Sequence, residues 1–168
     1  IVSQNTSSDG TFTVNGGSID VDDSVRINRG TGEINITGGT VDIARNLDLV
    51  NDTVTTDATL NISGGTVNVA SSAAANTGLF IGNSDTTLGT AVANISVGTL
   101  NVNGTADGGI RIANSGTDSS GSFIQTGGVV NVSGSNTEIA DNGSGVFSLS
   151  GGSFNQLTNN FITGQSAG

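Results

Sequence analysis

Hydrophobic and polar residues alternate along most of the chain, in short stretches that come in pairs joined by two glycines. The clearest pair is Leu60–Val69, where Leu60, Ile62, Val67 and Val69 share one side and polar residues occupy the other. Alternation with this period predicts half-buried strands. The glycine pair between them predicts a sharp bend, because glycine tolerates positive φ.

This ten-residue phrase recurs along the chain, and its copies begin 22, 26, 33, 30 and 24 residues apart. The copies are Phe12–Val21, Ile34–Ile43, Leu60–Val69, Ala93–Val102, Phe123–Val132 and Phe147–Gln156. A third short stretch follows each copy, at 25–27, 47–49, 79–81, 110–112, 137–139 and 160–162. Units this small cannot bury a core alone and must stack on their neighbours. The pattern therefore predicts an all-β fold, a parallel β-solenoid (β-helix) of about six coils with three short strands each, and parallel crossovers favour right-handed winding.

Stacking places equivalent positions of successive coils in rows. Four inward rows are predicted to form the core: Phe12, Ile34, Leu60, Ala93, Phe123, Phe147; Val14, Ile36, Ile62, Ile95, Gln125, Leu149; Ile19, Val41, Val67, Leu100, Val130, Phe154; and Val21, Ile43, Val69, Val102, Val132, Gln156. Gln125 and Gln156 interrupt these rows and, if buried, need hydrogen-bond partners. We expect one domain over residues 1–168, with 1–11 as an N-terminal partial coil or arm, 12–164 as six repeats and 165–168 as a tail.

Two outward rows carry the polar side chains that attract attention. The third-strand row is Arg26, Asp48, Phe80, Arg111, Glu138 and Phe161, which predicts ion pairs Arg26–Asp48 and Arg111–Glu138 between adjacent coils. The other face presents Ser18, Thr40, Thr66, Thr99, Val129 and Ser153 beside Asp20, Asp42, Asn68, Asn101, Asn131 and Asn155. Regular Thr rows resemble those of ice-binding proteins, but such ladders also stabilise any solenoid through hydrogen bonds between coils, and we favour the structural interpretation.

Composition narrows the function further. A net charge of −10 without any Lys argues against nucleic-acid binding, and no apolar run approaches the roughly 18 residues of a membrane span. His, Cys, Lys and Tyr are absent, which leaves carboxylates, hydroxyls and four Arg for chemistry. We therefore expect no enzyme and no cofactor.

The densest acidic cluster consists of Asp20, Asp22 and Asp23, with Asp42 one coil further on. Oxygen ligands of this kind suit calcium, so a calcium site is one interpretation. The favoured interpretation is a solvated acidic corner neutralised by Arg26 and Arg45.

The phrase Leu60–Val69 followed by Leu79–Asn83 resembles the repeats of bacterial autotransporter passengers and of β-strand repeat proteins from bacteria with PEP-CTERM sorting signals. The resemblance covers most of residues 12–164 and rests on an aliphatic-Ser/Thr-Gly-Gly-Thr/Ser-aliphatic-Asn/Asp-aliphatic core. It implies a β-solenoid that is extracellular or on the cell surface, secreted with its signal removed, and used as a stalk, adhesin or matrix.

The end coils suggest how such a protein works. Neither end offers an amphipathic helix, a Pro or a Lys that would protect an open coil, and Ile1–Ser3 is predicted to pair in the third-strand row. We expect copies to join head to tail into a filament, with an axial repeat of about 29 Å for six coils at about 4.8 Å each. The predicted self-association residues are Ile1, Val2, Phe12, Val14, Phe147, Leu149, Phe154 and Phe161. The alternatives are an adhesin segment of a longer passenger that binds cell-surface glycans and, third, an ice-binding solenoid.

Overall fold

The structure, a computed structural model, describes residues 1–5, 7–50, 56–70, 77–82, 89–105 and 108–164. Within these ranges the chain forms fourteen β-strands and no helix. The strands are β1 (Asp9–Val21), β2 (Val25–Ile27), β3 (Gly30–Ile43), β4 (Leu47–Leu49), β5 (Thr56–Val69), β6 (Gly78–Ile81), β7 (Ala91–Asn103), β8 (Gly109–Ile112), β9 (Ser120–Gln125), β10 (Val129–Ser133), β11 (Thr137–Ile139), β12 (Ser144–Leu149), β13 (Ser153–Gln156) and β14 (Phe161–Thr163). The predicted tail, 165–168, lies outside the described residues.

The strands stack in two parallel sheets, which confirms the predicted β-solenoid. The larger sheet runs through β1, β3, β5 and β7, continues with the pair β9 and β10, and finishes with the pair β12 and β13. The smaller sheet runs β2, β4, β6, β8, β11, β14. Each sheet therefore has six rungs, and the chain makes about five turns between the first rung and the last.

The glycine pairs form the predicted corner, but the strands are longer than expected. In β1, β3, β5 and β7 the chain bends at the pair without leaving the ladder, so the first two predicted strands are one bent strand of 13 or 14 residues. The glycine at the bend has positive φ in every copy: Gly17 (75°), Gly39 (79°), Gly65 (71°), Gly98 (89°), Gly128 (68°) and Gly152 (79°). In the fourth copy Val97 takes the place of the first glycine. Side chains rarely adopt this conformation, which accounts for glycine at the bend.

A second corner, which the sequence pattern does not predict, follows the strands of the smaller sheet. Its residues also have positive φ: Val50 (67°), Gly82 (67°), Ala113 (52°), Ala140 (55°) and Gly164 (62°). Ladder hydrogen bonds hold this turn in place, for example from Ala113 N to the Ile81 carbonyl at 2.8 Å and from Ala140 N to the Ile112 carbonyl at 2.8 Å. The stacked coils therefore force even a β-branched residue, Val50, into the left-handed region.

The pairing register confirms all four predicted inward rows. The sixth third strand, however, lies one residue later than predicted. Phe161 pairs with Thr137 and Ile162 with Glu138, so Phe161 belongs to the inward row and Ile162 to the outward one. The prediction for Phe161 was wrong because Phe161 and Ile162 are both apolar, and their alternation does not distinguish the two phases.

The two glutamines stay in the inward rows because each finds partners there. Gln125 is fully buried, and its Nε2 donates to the Ser153 carbonyl at 3.0 Å and to the Gly127 carbonyl at 3.2 Å. Gln156 donates from Nε2 to the Ser135 carbonyl at 2.8 Å and accepts from Thr137 Oγ1 at 2.6 Å. These contacts hold the corners of the last two coils in register.

Both predicted ion pairs are present, but one of them is less exposed than expected. Arg26 Nε lies 2.7 Å from Asp48 Oδ2, and Arg111 Nε lies 3.4 Å from Glu138 Oε2. The Asp48 side chain is only 1% exposed, whereas Arg26 is 36% exposed. Asp48 is thus a buried carboxylate held against the Arg26 guanidinium.

This burial predicts that Asp48→Asn lowers the free energy of unfolding by about 1–3 kcal/mol, since it leaves Arg26 without its counter-charge while a third of that side chain can still rehydrate. Urea denaturation followed by circular dichroism measures the loss. The control is Asp23→Asn, because the Asp23–Arg45 pair at 3.4 Å is exposed on both sides and should contribute less than about 0.5 kcal/mol. Equal small losses for the two variants would contradict the assignment.

Candidate self-association surfaces at the two end coils

The C-terminal coil comprises β12, β13 and β14, and among the described strands it has partners on one side only. β12 pairs with β9, β13 with β10, and β14 with β11. Within the described part of the chain, no strand covers their other edge. An edge of this kind offers a row of backbone N–H and C=O groups to another strand.

A cluster of phenylalanines fills the interior of the C-terminal coil. Phe147 stacks on Phe123 with ring centroids 5.3 Å apart and planes 3° from parallel. Phe154 and Phe161 meet Phe147 edge-on, both at 5.0 Å. Phe161 remains 43% exposed and Leu149 49% exposed. The coil thus presents an ordered apolar end, and the inward Phe161 belongs to it.

The N-terminal coil is covered differently. Among the described strands β1 pairs only with β3, but the outer edge of β2 is occupied by residues 1–3, called here the N-terminal segment. Val2 N donates to the Arg26 carbonyl at 2.7 Å, and Asn28 N donates to the Ser3 carbonyl at 3.0 Å. Ser3 also forms a parallel bridge with Ile27. The prediction that Ile1–Ser3 pairs in the third-strand row is confirmed.

The predicted self-association residues are unevenly placed at this end. Ile1 is 66% exposed, whereas Val14 is only 3% exposed and so offers little surface. Val2 and Phe12 are partly buried against the core. Most of the exposed apolar surface among the predicted residues therefore lies on the C-terminal coil and on Ile1.

The four acidic residues of the predicted calcium site do not converge. No group of three acidic side chains among the described residues is arranged to hold a metal ion. Asp20 and Asp42 are ladder partners, and Asp23 pairs with Arg45 at 3.4 Å. Arg26, expected to neutralise this corner, pairs with Asp48 instead. The N-terminal coil is nevertheless acidic, while residues 142–164 contain no charged side chain.

An asparagine ladder with a fixed direction runs along the outward face of the larger sheet. Each Nδ2 donates to the Oδ1 of the preceding coil: Asn155 to Asn131 (2.9 Å), Asn131 to Asn101 (2.9 Å), Asn101 to Asn68 (2.7 Å) and Asn68 to Asp42 (2.6 Å). The ladder stops there, because ionised Asp42 and its neighbour Asp20 are both acceptors. Sequence reasoning identified this row but missed its polarity.

The first glycine of the pair packs against the coil before it in four copies. A Cβ added to Gly38, Gly64, Gly127 or Gly151 would lie 2.8, 2.2, 2.1 or 2.3 Å from a backbone carbonyl oxygen of that preceding coil. Gly16 is different, because a Cβ there would meet no atom of the described residues within 4 Å. Neither its space nor its φ explains why Gly16 is a glycine within a single copy.

Other kinds of site receive no support from the described residues. They enclose no pocket, and none of them belongs to a helix suited to crossing a membrane. Comparison of the chain with protein-family models, curated proteins and solved structures finds no match.

The ladder polarity predicts that Asp42→Asn raises the free energy of unfolding by about 0.5–1 kcal/mol. The new amide would donate to Asp20 and relieve the repulsion between two stacked carboxylates. Thermal denaturation at neutral pH and low protein concentration measures the gain. Asp22→Asn removes the same charge from an exposed position outside the ladder, and an equal gain there would attribute the effect to net charge alone.

Proposed function

We propose that this protein is a non-enzymatic structural β-solenoid of the cell exterior whose copies join head to tail into a filament or surface matrix. The extracellular location rests on the resemblance of the repeats to bacterial passenger proteins. The head-to-tail arrangement rests on the two end coils, in which one copy's C-terminal coil meets the next copy's N-terminal coil and extends both sheets.

The observation that carries the proposal is the unexplained glycine at position 16. Four of the five later copies have a glycine at this position, where a Cβ would lie against a backbone carbonyl oxygen of the preceding coil. Copy four has Val97 there, and its side chain is 58% exposed. A copy stacked on β1 would supply such a coil, placing the Ser150 carbonyl where the Thr126 carbonyl lies against Gly151. Gly16 then has the same steric reason as the others.

The distribution of charge favours a head-to-tail joint over a joint between two N-terminal coils. A joint between two N-terminal coils would bring two sets of Asp9, Asp20, Asp22 and Asp23 together, and like charges in contact oppose association. A head-to-tail joint sets these acids against an uncharged coil. It would also cover the exposed parts of Phe161 and Leu149, which lie at the end of the solenoid.

The rival functions have less to support them. A glycan-binding adhesin would be expected to present aromatic side chains in its loops, but all six Phe lie in strands and Tyr and Trp are absent. The Thr row suggested for ice binding includes an exposed Val129 and two Ser. We therefore propose that the end coils, rather than the loops or the Thr row, carry the function.

Gly16→Ala tests the joint directly. The added methyl group has open space in a single copy, so the free energy of unfolding should be nearly unchanged. In the filament the methyl group would clash with the Ser150 carbonyl, and we expect the critical concentration for assembly to rise at least about tenfold. Sedimentation across a concentration series measures it.

The control for this substitution is Asn15→Ala, which alters the neighbouring exposed residue without adding a Cβ. If Gly16→Ala and Asn15→Ala assemble as readily as the unmodified protein, β1 does not receive another coil and the proposed joint is wrong.

Asp20→Asn is expected to act in the opposite direction. At the joint the Asp20 carboxylate faces Oδ1 of Asn155, and two acceptors cannot bond. An amide at position 20 would donate to that oxygen and continue the ladder, lowering the critical concentration about fivefold at neutral pH.

The matched variant for Asp20→Asn is Asp42→Asn, which removes a charge from the same row but adds its donor within the copy. Both variants should be more stable as single copies, and only Asp20→Asn should assemble much more readily. Equal critical concentrations for the two would exclude Asp20 from the joint.

A further inference from the structure

We propose that the N-terminal segment and the β14 of another copy compete for one pairing position on the outer edge of β2, called here the slot. The N-terminal segment occupies the slot in the single copy, and the β14 of another copy replaces it on assembly. This inference rests on the proposed head-to-tail association. It adds a specific structural step, the exchange of one strand for another.

The phase of the coils requires the exchange. The larger sheet has six rungs, whereas the smaller sheet has six strands plus the N-terminal segment. If β1 of the next copy pairs with β12 and β13, its β2 lies one rung beyond β14. β14 then falls in the position that the N-terminal segment of that next copy already holds. Keeping both would leave the larger sheet one rung short at every joint.

The two competing segments are chemically alike. Ile1, Val2 and Ser3 correspond in order to Phe161, Ile162 and Thr163, since Ser3 bridges Ile27 and Thr163 pairs with Ile139 at the same ladder position. Each segment has a large apolar residue, a β-branched residue and a hydroxyl residue in that order. In the five rungs between the two segments, the third residue of the strand is Ile or Leu. A hydroxyl residue at this position is therefore specific to the two segments.

The hydroxyl of Ser3 anchors the segment in its slot. Ser3 is buried, and its Oγ lies 3.0 Å from the Ser8 carbonyl oxygen and 2.9 Å from Ser8 Oγ, and donates to the Arg29 carbonyl. Thr163 is exposed in its own copy. In the slot of another copy, the Thr163 hydroxyl would reach the same Arg29 carbonyl.

The exchange favours assembly because β14 fills the slot better than the segment does. Ile1 remains 66% exposed while the segment is bound, so it contributes little to the core. Phe161 already packs on Phe147 and Phe154, and pairing of β14 with β2 would cover its exposed part. The exchange leaves the number of backbone hydrogen bonds to the outer edge of β2 unchanged. The outer edge of β1, by contrast, gains backbone hydrogen bonds to the other copy.

Hydrogen exchange on the unmodified protein, before and after assembly, tests the exchange of strands. We expect the amide of Val2, which donates to the Arg26 carbonyl in the single copy, to lose protection in the filament. The amides of Phe161 and Thr163 should gain protection, whereas Gly164 N already donates to the Ile139 carbonyl and should stay protected. The amide of Asn28 should stay protected in both states, because it donates to Ser3 in one and to Thr163 in the other. It therefore serves as an internal reference.

Ser3→Ala, with Ser7→Ala as its control, supplies the second readout. Loss of the anchoring hydroxyl weakens the segment only in the single copy, so assembly should require a concentration about fivefold lower. Ser7 is exposed, and its replacement should change nothing.

Three outcomes separate the two proposals. Filaments with an unprotected segment and a protected β14 support the exchange. Filaments in which the Val2 amide remains protected overturn the exchange but leave head-to-tail association standing. If neither the unmodified protein nor Ser3→Ala assembles over the accessible concentrations, both proposals fail.

Discussion

The parallel backbone ladder between coils is the constraint on which the rest of this structure depends. A single coil has no partner within itself for its N–H and C=O groups, so each coil is satisfied only by the coils before and after it. Every residue therefore belongs to a row, and a requirement at one position recurs along the solenoid. The glycine corners, the inward aliphatic rows and the asparagine ladder all follow from that repetition.

The same constraint makes the end coils different from the rest. In the interior, a glycine such as Gly64 is needed because the preceding carbonyl lies close to it, and Asn101 both donates and accepts along its row. At the N-terminal coil the same row position is Gly16, where an added Cβ would meet no described atom within 4 Å, and the asparagine ladder changes to aspartate. In the interior of the solenoid, contacts with the preceding coil explain the residue at each of these positions. At the N-terminal coil the same positions have no such explanation within one copy, and this favours a further coil stacked on them.

The sequence predicted the repeat, the rows and the glycine corner because each depends on side-chain alternation or on positive φ. It missed features that depend on neighbours. The second corner places Val50, Ala113 and Ala140 at positive φ, a conformation that stacking imposes and composition does not suggest. The phase of the last strand was ambiguous because Phe161 and Ile162 are both apolar, and only pairing with β11 resolves it. The burial of Asp48 and the direction of the asparagine ladder likewise depend on how the coils stack.

The measurement that tests the account most directly is electron microscopy of the unmodified protein at neutral pH, over a series of concentrations. Head-to-tail joints that continue both sheets predict thin filaments with an axial repeat of about 29 Å, six rungs of about 4.8 Å. Dispersed single solenoids at every concentration would contradict the central claim.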